Sequence, residues 1–589
     1  MKFDYRRKRL FGILAAVFVL IVVAIGGYQL IATPSQALAA QAHSAKYPKA
    51  IQHRKSRAVC SKTVAYRANC AAFIATNNSG APLTGTPALT SSLGPVEFHT
   101  AYNLPCTPGG PVASVCSTPG SFGPSTIAVV DAGSYSDGSG TVEESLQNYD
   151  SQYGLPACTA ANGCLTIVNQ SGVTSPLPPS SGWALEIALD VETAHMVCQT
   201  CKIVLVETND DFLNNLSAGV VTAATFNPVA ISNSWYYASN TPADEQGFGL
   251  DSDFVQPGIA IVAATGDIGS TTVSWPADNP NVIGAAGTTL QLNNDNTWAG
   301  ETVWSGSGGT CSGTYSAPSW QTNLAAWGTN GCGAFKAFGD VSADADPSSG
   351  AAVNEATSSS TSSWWDVGGT SLATPIISGI FGLIGKVPTG VTGSTIPYGS
   401  YNSSNFHDVT SGTNCANGIT LNCTAAVGFD TPSGLGTPFG IGGFTPPPTQ
   451  PTGLSAIDAS ESQINLSWTA STDNLSVSSY HIYRNGVQVA TTASTSYNDT
   501  GLSPNTSYSY SVTAYDTVNN ASPASTSTSA TTRYLADINQ DGHVNLQDFS
   551  LLSIKFGQSG GSLGRADINQ DGHVNLQDFS LLSIKFGIE

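Results

Sequence analysis

The stretch Gly368-Gly-Thr-Ser-Leu-Ala-Thr-Pro375 decides how this chain is read. A Gly-Thr-Ser-x-Ala-x-Pro string presents a serine hydroxyl at the start of a helix. Its glycine leaves room for a substrate backbone, and the serine's own N–H helps to hold a developing oxyanion. Such a serine needs a base, usually the histidine of a His-Gly-Thr-His string, and none of the eight histidines sits in one. Glu186-Ile-Ala-Leu-Asp190 offers carboxylates instead, four residues apart and therefore on one face of a helix. The expected pairing is Ser371 as nucleophile with a carboxylate as its base.

Further strings fall in order around this pair. Thr126-Ile-Ala-Val-Val-Asp-Ala132, Ile231-Ser-Asn-Ser-Trp235 and Val262-Ala-Ala-Thr-Gly-Asp-Ile-Gly269 read as core strands, and Trp183 to Glu207 as a helix running into a strand. Asp340-Val-Ser-Ala-Asp-Ala-Asp-Pro347 precedes the serine. His407-Asp-Val-Thr-Ser-Gly412 and Gly428-Phe-Asp-Thr-Pro-Ser-Gly-Leu-Gly-Thr-Pro438 follow it. In order and spacing these strings, over residues 93–443, resemble the sedolisins, the serine-carboxyl peptidases. The resemblance implies an α/β fold, a subtilisin-like parallel sheet flanked by helices, and hydrolysis of protein or peptide substrates. It implies that Ser371 attacks the carbonyl, Glu186 takes its proton and Asp190 orients Glu186. Asp267 would be the oxyanion-hole carboxyl, a donor only while protonated. A carboxylate base works near its own proton affinity, so such a site belongs in acid.

The resemblance also implies one calcium ion, held by Asp408, the carbonyls of Val409, Ala426 and Gly428, and Asp430. Oxygen-only ligation of this kind suits calcium and not zinc. Ala426 stands where a glycine is usual. A rival triad, Asp131–His195–Ser371, is weak because His195 follows Thr193-Ala194 and not the expected string. Glu192, two residues past Asp190, falls on another helix face and is expected to be solvated. A reading of a different class is a catalytically silent relative used for surface attachment or docking.

Composition sets the context. Charged residues make up 10% of the 589, with a net charge of -20, which disfavours nucleic acid as a partner because phosphate binding needs clustered Lys and Arg. The basic residues Lys2, Arg6, Arg7, Lys8 and Arg9 precede an apolar run from about Leu10 to Gly26, an export signal with Ala37-Leu-Ala39 as a cleavage site. An uncleaved membrane anchor is the other reading of residues 1–42. Secretion or display at the cell surface is expected. Twelve cysteines fall in close pairs, Cys60/Cys70, Cys106/Cys116, Cys158/Cys164, Cys198/Cys201, Cys311/Cys332 and Cys415/Cys423. Six local disulfides are the simple reading, though sequence alone leaves connectivity open. The Cys198–Cys201 pair can also be read as a redox motif or half a zinc site. Residues 43–92 form a short pro-segment or stand where the large propeptide usual in sedolisins has been lost.

After the peptidase-like region, 93–444, residues 445–451 (Thr445-Pro-Pro-Pro-Thr-Gln-Pro451) form a stiff linker. Residues 452–532 then carry short alternating strands, with an Asn485-Gly486 hairpin signal. Trp468 with Leu502-x-Pro-x-Thr-x-Tyr508 resembles the core tryptophan and tyrosine corner of a fibronectin type III β-sandwich. In residues 533–589 Ala536–Gly557 recurs identically as Ala566–Gly587. Each copy is an EF-hand-type calcium loop followed by a helix. The ligands are Asp537, Asn539, Asp541, the His543 carbonyl, Asn545 and Asp548 in the first copy, and Asp567, Asn569, Asp571, His573, Asn575 and Asp578 in the second. No helix fits ahead of either loop. The pair resembles a dockerin, a small α module of two calcium ions whose implied partner is a cohesin-like domain. Leu546-Gln547 occupy the place where many dockerins carry partner-selecting hydroxyl residues, so partner choice does not carry over.

Overall fold

The computed structural model describes residues 55–60, 66–77, 81–82, 84–85, 92–106, 116, 123–135, 139–239, 249–270, 273–415, 422–561 and 563–587. The export signal or anchor, 1–42, lies outside them. No helix among the described residues is long and apolar enough to cross a membrane.

The first domain is built on an eight-stranded sheet. Its strands are β1 (Thr126–Ala132), β2 (Leu165–Asn169), β3 (Lys202–Thr208), β4 (Ala230–Asn233), β5 (Ala260–Ala264), β6 (Val282–Leu292), β7 (Trp298–Val303) and β8 (Val341–Asp344). Their order is β7-β6-β5-β4-β1-β3-β2, with β8 also pairing β6, and every pairing is parallel except β6 with β7. Unbroken apolar runs such as Ile127–Val130 and Ile203–Val206 are buried throughout, as strands covered on both faces require. Four helices position the site: α1 (Val142–Tyr153), α2 (Ala184–Val197), α3 (Leu213–Ala224) and α4 (Thr370–Ile384). Helices α2 and α4 pack on each other, closely because Gly379 leaves room for Val197; a Cβ at Gly379 would stand 2.6 Å from it. A hairpin, Ala351–Ser358 with Thr361–Gly368, delivers the chain to the start of α4.

All six close cysteine pairs are bonded, including Cys198–Cys201, which leaves neither of its sulfurs free for redox turnover or zinc.

The second domain is a β-sandwich of a three-stranded and a four-stranded sheet. Trp468 meets Tyr480 edge-on at 5.4 Å inside it. Asn485 and Gly486 take positive φ values of 52° and 79° at the expected hairpin turn. Tyr508 Oη accepts a hydrogen bond from the Ser503 N–H at 3.0 Å, a tyrosine corner. Buried Asn520 ties this domain to the first, donating to the carbonyls of Gly442 (2.9 Å) and Thr445 (3.1 Å).

The C-terminal module holds two ten-residue helices, Leu546–Lys555 and Leu576–Lys585, each preceded by a loop with no helix ahead of it. The copies are related by a local two-fold: the Gly557 N–H donates to the Val574 carbonyl at 2.7 Å and the Gly587 N–H to the Val544 carbonyl at 2.8 Å. Leu552 and Leu582 are buried between them, and Phe549 meets Phe579 edge-on. Glu461 of the sandwich accepts from the Leu535 N–H (3.0 Å) and Lys585 (2.9 Å) of this module.

Candidate active site

Ser371 stands in the first turn of α4, and its surroundings follow from three residues beside it. Gly369, the residue before the helix, has φ 105°, a conformation that favours glycine; a Cβ there would meet the Ala71 carbonyl oxygen at 2.1 Å. Thr370 N–H and Oγ1–H both donate to Asp267 Oδ1 at 2.8 Å, which fixes that carboxyl over the helix N-terminus. Pro375 lacks an N–H and so leaves the Ser371 carbonyl without its helical partner. The Ser234 hydroxyl donates to that carbonyl instead, at 3.3 Å, while Ser371 Oγ donates to the Ser234 carbonyl at 3.2 Å.

Glu186 and Asp190 lie on α2, one turn apart and fully buried. Among the described residues, none of their four carboxyl oxygens has a hydrogen-bond partner. Burial above all holds both protonated well above the ordinary carboxyl range, and the nearby Asp131 pushes the same way. The Ser371 hydroxyl opposes this at Glu186, and Ser234 opposes it at Asp190. Ser371 therefore approaches Glu186 closely enough to be felt, while its formed hydrogen bond is the one to Ser234. Asp267 is raised to about 8 by burial, against the two bonds from Thr370; its Oδ2 is buried and unpartnered among the described residues. A protonated Oδ2 is a hydrogen-bond donor in a water-poor site.

The four expected residues thus come together at the carboxyl ends of parallel strands, where open α/β sheets place their sites. Two acids join them that the strings did not single out as a group. Asp131 on β1 sits beside Glu207 on β3 through the parallel register, and burial raises them to about 8 and about 7. Sequence order could not show this, because the two are brought together only by strand pairing. Ser234, just past β4, was also missed; its one signal is its place at a strand's carboxyl end.

One expectation needs correction, and the weak rival reading fails. Glu192 is not solvated: it is 1% exposed, accepting from Ser145 Oγ (3.0 Å) and the Asn354 N–H (2.9 Å). Helix α2 is enclosed on every side, so its second face is interior too. The rival triad fails because His195 turns to the Pro156 carbonyl (2.9 Å) and Asp150 (3.3 Å), and burial lowers its pKa to about 4.

Oxygen-rich loops lie elsewhere in the chain. Asp408 accepts from the Gly428 N–H at 2.9 Å and Asp430 from the Ala426 N–H at 2.7 Å, so the two acids face one turn. Asp430 is raised to about 6 by burial, with the charge of Asp408 adding to it. Val409 is buried beside Asp408. In the C-terminal module Asp537, Asp541 and Asp548 each bring a carboxylate oxygen within 4.8 Å of the others. Gly542, at φ 90°, makes the sharp turn, and its N–H donates to Asp537 at 2.9 Å. Asn539 bonds Asp541 at 2.8 Å, the His543 N–H donates to Asp541, and Asn545 caps the helix. The hydrogen bonds of this loop, though not the 4.8 Å grouping, recur among Asp567, Asn569, Asp571, His573, Asn575 and Asp578. Converging carboxylates with no cationic side chain in the set fit a hard divalent cation.

Residues 449–531 match the fibronectin type III domain model and residues 535–586 the type I dockerin domain model. Kumamolisin of Bacillus sp. (strain MN-32) is 28% identical over 348 residues, 54% of this chain and 58% of kumamolisin. Chitinase D of Niallia circulans is 47% identical over 98 residues, 16% of this chain and 19% of the chitinase. The chain thus spans less than two thirds of the length of these relatives. The solved structure of Pseudomonas sedolisin, complexed with two molecules of pseudo-iodotyrostatin, matches with 24% identity and a TM-score of 0.46, covering 59% of this chain and 96% of that one. The N-terminal region is sedolisin-like. The chain as a whole joins this region to a fibronectin type III domain and a type I dockerin domain.

Proposed function

We propose that this is an exported serine-carboxyl endopeptidase acting in acid. The observation that carries the reading is the burial of Glu186 and Asp190, without other partners, beside Ser371 at a helix N-terminus. Glu186, ionised in the fraction of molecules ready to react, takes the Ser371 proton as Oγ adds to the scissile carbonyl. Asp190 holds the second proton of the pair and keeps the charge on Glu186. The Ser371 N–H and the protonated Asp267 hold the oxyanion. Glu186 then returns its proton to the leaving amine, and water releases the acyl group by the reverse path. Full-length chain should hydrolyse an acid-denatured protein, and Ser371→Ala should not.

Calcium, when bound, neutralises clustered oxygens and orders their loops. In the peptidase domain Asp408 and Asp430, with the carbonyls of Val409, Ala426 and Gly428, would hold one ion. The two repeats would hold two more through Asp537, Asn539, Asp541, His543, Asn545 and Asp548 and their counterparts. Titration calorimetry of the full chain should therefore count three ions, and Asp537→Ala with Asp567→Ala should leave one. A chain ending at Thr532 should keep its proteolysis. Three ions retained by the double variant would contradict the repeat sites.

The dockerin module would dock the enzyme on a cohesin-like partner at or outside the cell surface. Its two copies expose matching apolar residues, Leu546, Ile554 and Phe556 against Leu576, Ile584 and Phe586, so either face could meet the partner after a half rotation.

A further inference from the structure

The residue seated on the Ser371 N–H marks the side chain that a cleavable peptide presents beside the nucleophile. Ala71 holds that seat: its carbonyl oxygen accepts the Ser371 N–H at 2.9 Å, and its own N–H donates to the Ser234 carbonyl at 3.2 Å. A carbonyl so placed belongs to the residue on the amino side of a bond open to attack. The side chain in the seat is a single methyl group, fully buried against Tyr236 and Ala264.

Tyr236 reaches this place through the alternation of its strand, Trp235–Ser239. Trp235 and Tyr237 pack on the core of the first domain, while Tyr236 and Ala238 turn the other way, toward Ala71 and Ala264. The facing wall is the end of β5 and Gly266 shortly after it. Gly266 has φ 95°, and a Cβ there would stand 3.1 Å from two ring carbons of Tyr236 and 3.0 Å from Ser274 Oγ. The Tyr236 ring, 5% exposed, therefore lies against that glycine. Burial above all holds its hydroxyl protonated well above the ordinary tyrosine range; the charge of Asp267 adds to this, and a hydrogen bond from the Asp267 backbone opposes it. The ring thus runs from Ala71 to the backbone of Asp267. It fills the gap between the two strand ends, where a longer side chain in the seat would extend.

We propose that Tyr236 sets the cleavage preference: its ring fills the pocket for the residue on the amino side of the scissile bond, so the enzyme cuts after alanine, glycine or serine and rejects phenylalanine, tyrosine and leucine there. The proposal rests on the serine-carboxyl reading. The ring takes no part in the chemistry and acts by volume, because a close-packed interior has no free space for a second bulky side chain. A larger residue must displace the ring or hold its own carbonyl off the Ser371 N–H. A misplacement of about 1 Å at the reacting carbonyl is enough to cost about a hundredfold in rate.

Full-length wild type, Tyr236→Ala, Tyr236→Leu and Tyr236→Phe chains, given one mixed peptide library at about pH 4, test this by mass spectrometry of the sites cut and their initial rates. Wild type should cut after Ala, Gly or Ser faster than after Phe, Tyr or Leu by about tenfold or more. Tyr236→Ala should narrow that ratio by about tenfold or more, by gaining cuts after Phe and Leu. Tyr236→Leu, which removes less buried volume, should narrow it in part, so the test survives an Ala variant that does not fold. Tyr236→Phe, of nearly equal volume, should keep the wild-type ratio. Wild type that cuts after large and small residues alike overturns the proposal and leaves the peptidase reading standing. Folded Tyr236→Ala or Tyr236→Leu with an unaltered ratio overturns it as well, as does Tyr236→Phe with a ratio as narrow as theirs. Wild type that cuts nothing in the library overturns both.

Discussion

Glu186→Gln is expected to lower kcat by about 10³-fold or more while leaving the protein folded. The amide matches the carboxyl in shape but cannot take a proton, and the hydrogen bond that Ser371 Oγ makes goes to the Ser234 carbonyl, which is no base. Folding should survive because the change removes an ionisable group from a fully buried position and adds no charge to desolvate. His195→Ala, by contrast, should leave the rate per folded molecule near that of wild type, since His195 faces Asp150 and Pro156. Turnover of one peptide by each variant, normalised to folded protein by circular dichroism, separates the outcomes. Near-normal turnover by folded Glu186→Gln would contradict a carboxylate base.

Neutral pH should both destabilise the first domain and silence the proposed activity. Asp267 and Asp131 are raised to about 8 and Glu207 to about 7, mainly by burial, and Glu186 and Asp190 are raised with them. In the unfolded chain such groups lose their protons near pH 4. The folded state therefore binds more protons than the unfolded one between about pH 4 and pH 8. Their stabilisation is full below about pH 4 and is lost as pH rises through the folded values, by about 1.4 kcal/mol per pH unit for each group. Ionised Asp267 would also place negative charge where the oxyanion forms. Thermal unfolding at saturating calcium should show Tm falling from pH 4 toward pH 8, and Asp267→Asn should flatten that fall. A Tm that rises over this range would contradict the buried-acid account.

What the sequence made legible was local. The serine string, the i and i+4 carboxylates and the twelve-residue calcium loops each encode their geometry within a few residues, and the structure brings those residues together. Asp131 and Glu207 were not legible as one cluster, because only the register of β1 with β3 makes them neighbours. Glu192 was misjudged through its helical face alone. The run Ala184-Leu-Glu-Ile-Ala-Leu-Asp-Val-Glu-Thr-Ala-His-Met-Val197 is apolar on every side, and that signal does foretell a helix with no solvated face. Ala71 gave no signal whatever: an alanine between cysteine and alanine becomes informative only when its carbonyl is found on the Ser371 N–H.

The most direct test of the central claim is hydrolysis of a mixed peptide library by purified full-length protein, wild type against Ser371→Ala, across acid and neutral buffers. Internal cleavage by wild type in acid, fading toward neutrality and absent from Ser371→Ala, is the predicted result. Cleavage that is fastest above neutrality, or that is undiminished in Ser371→Ala, would contradict it.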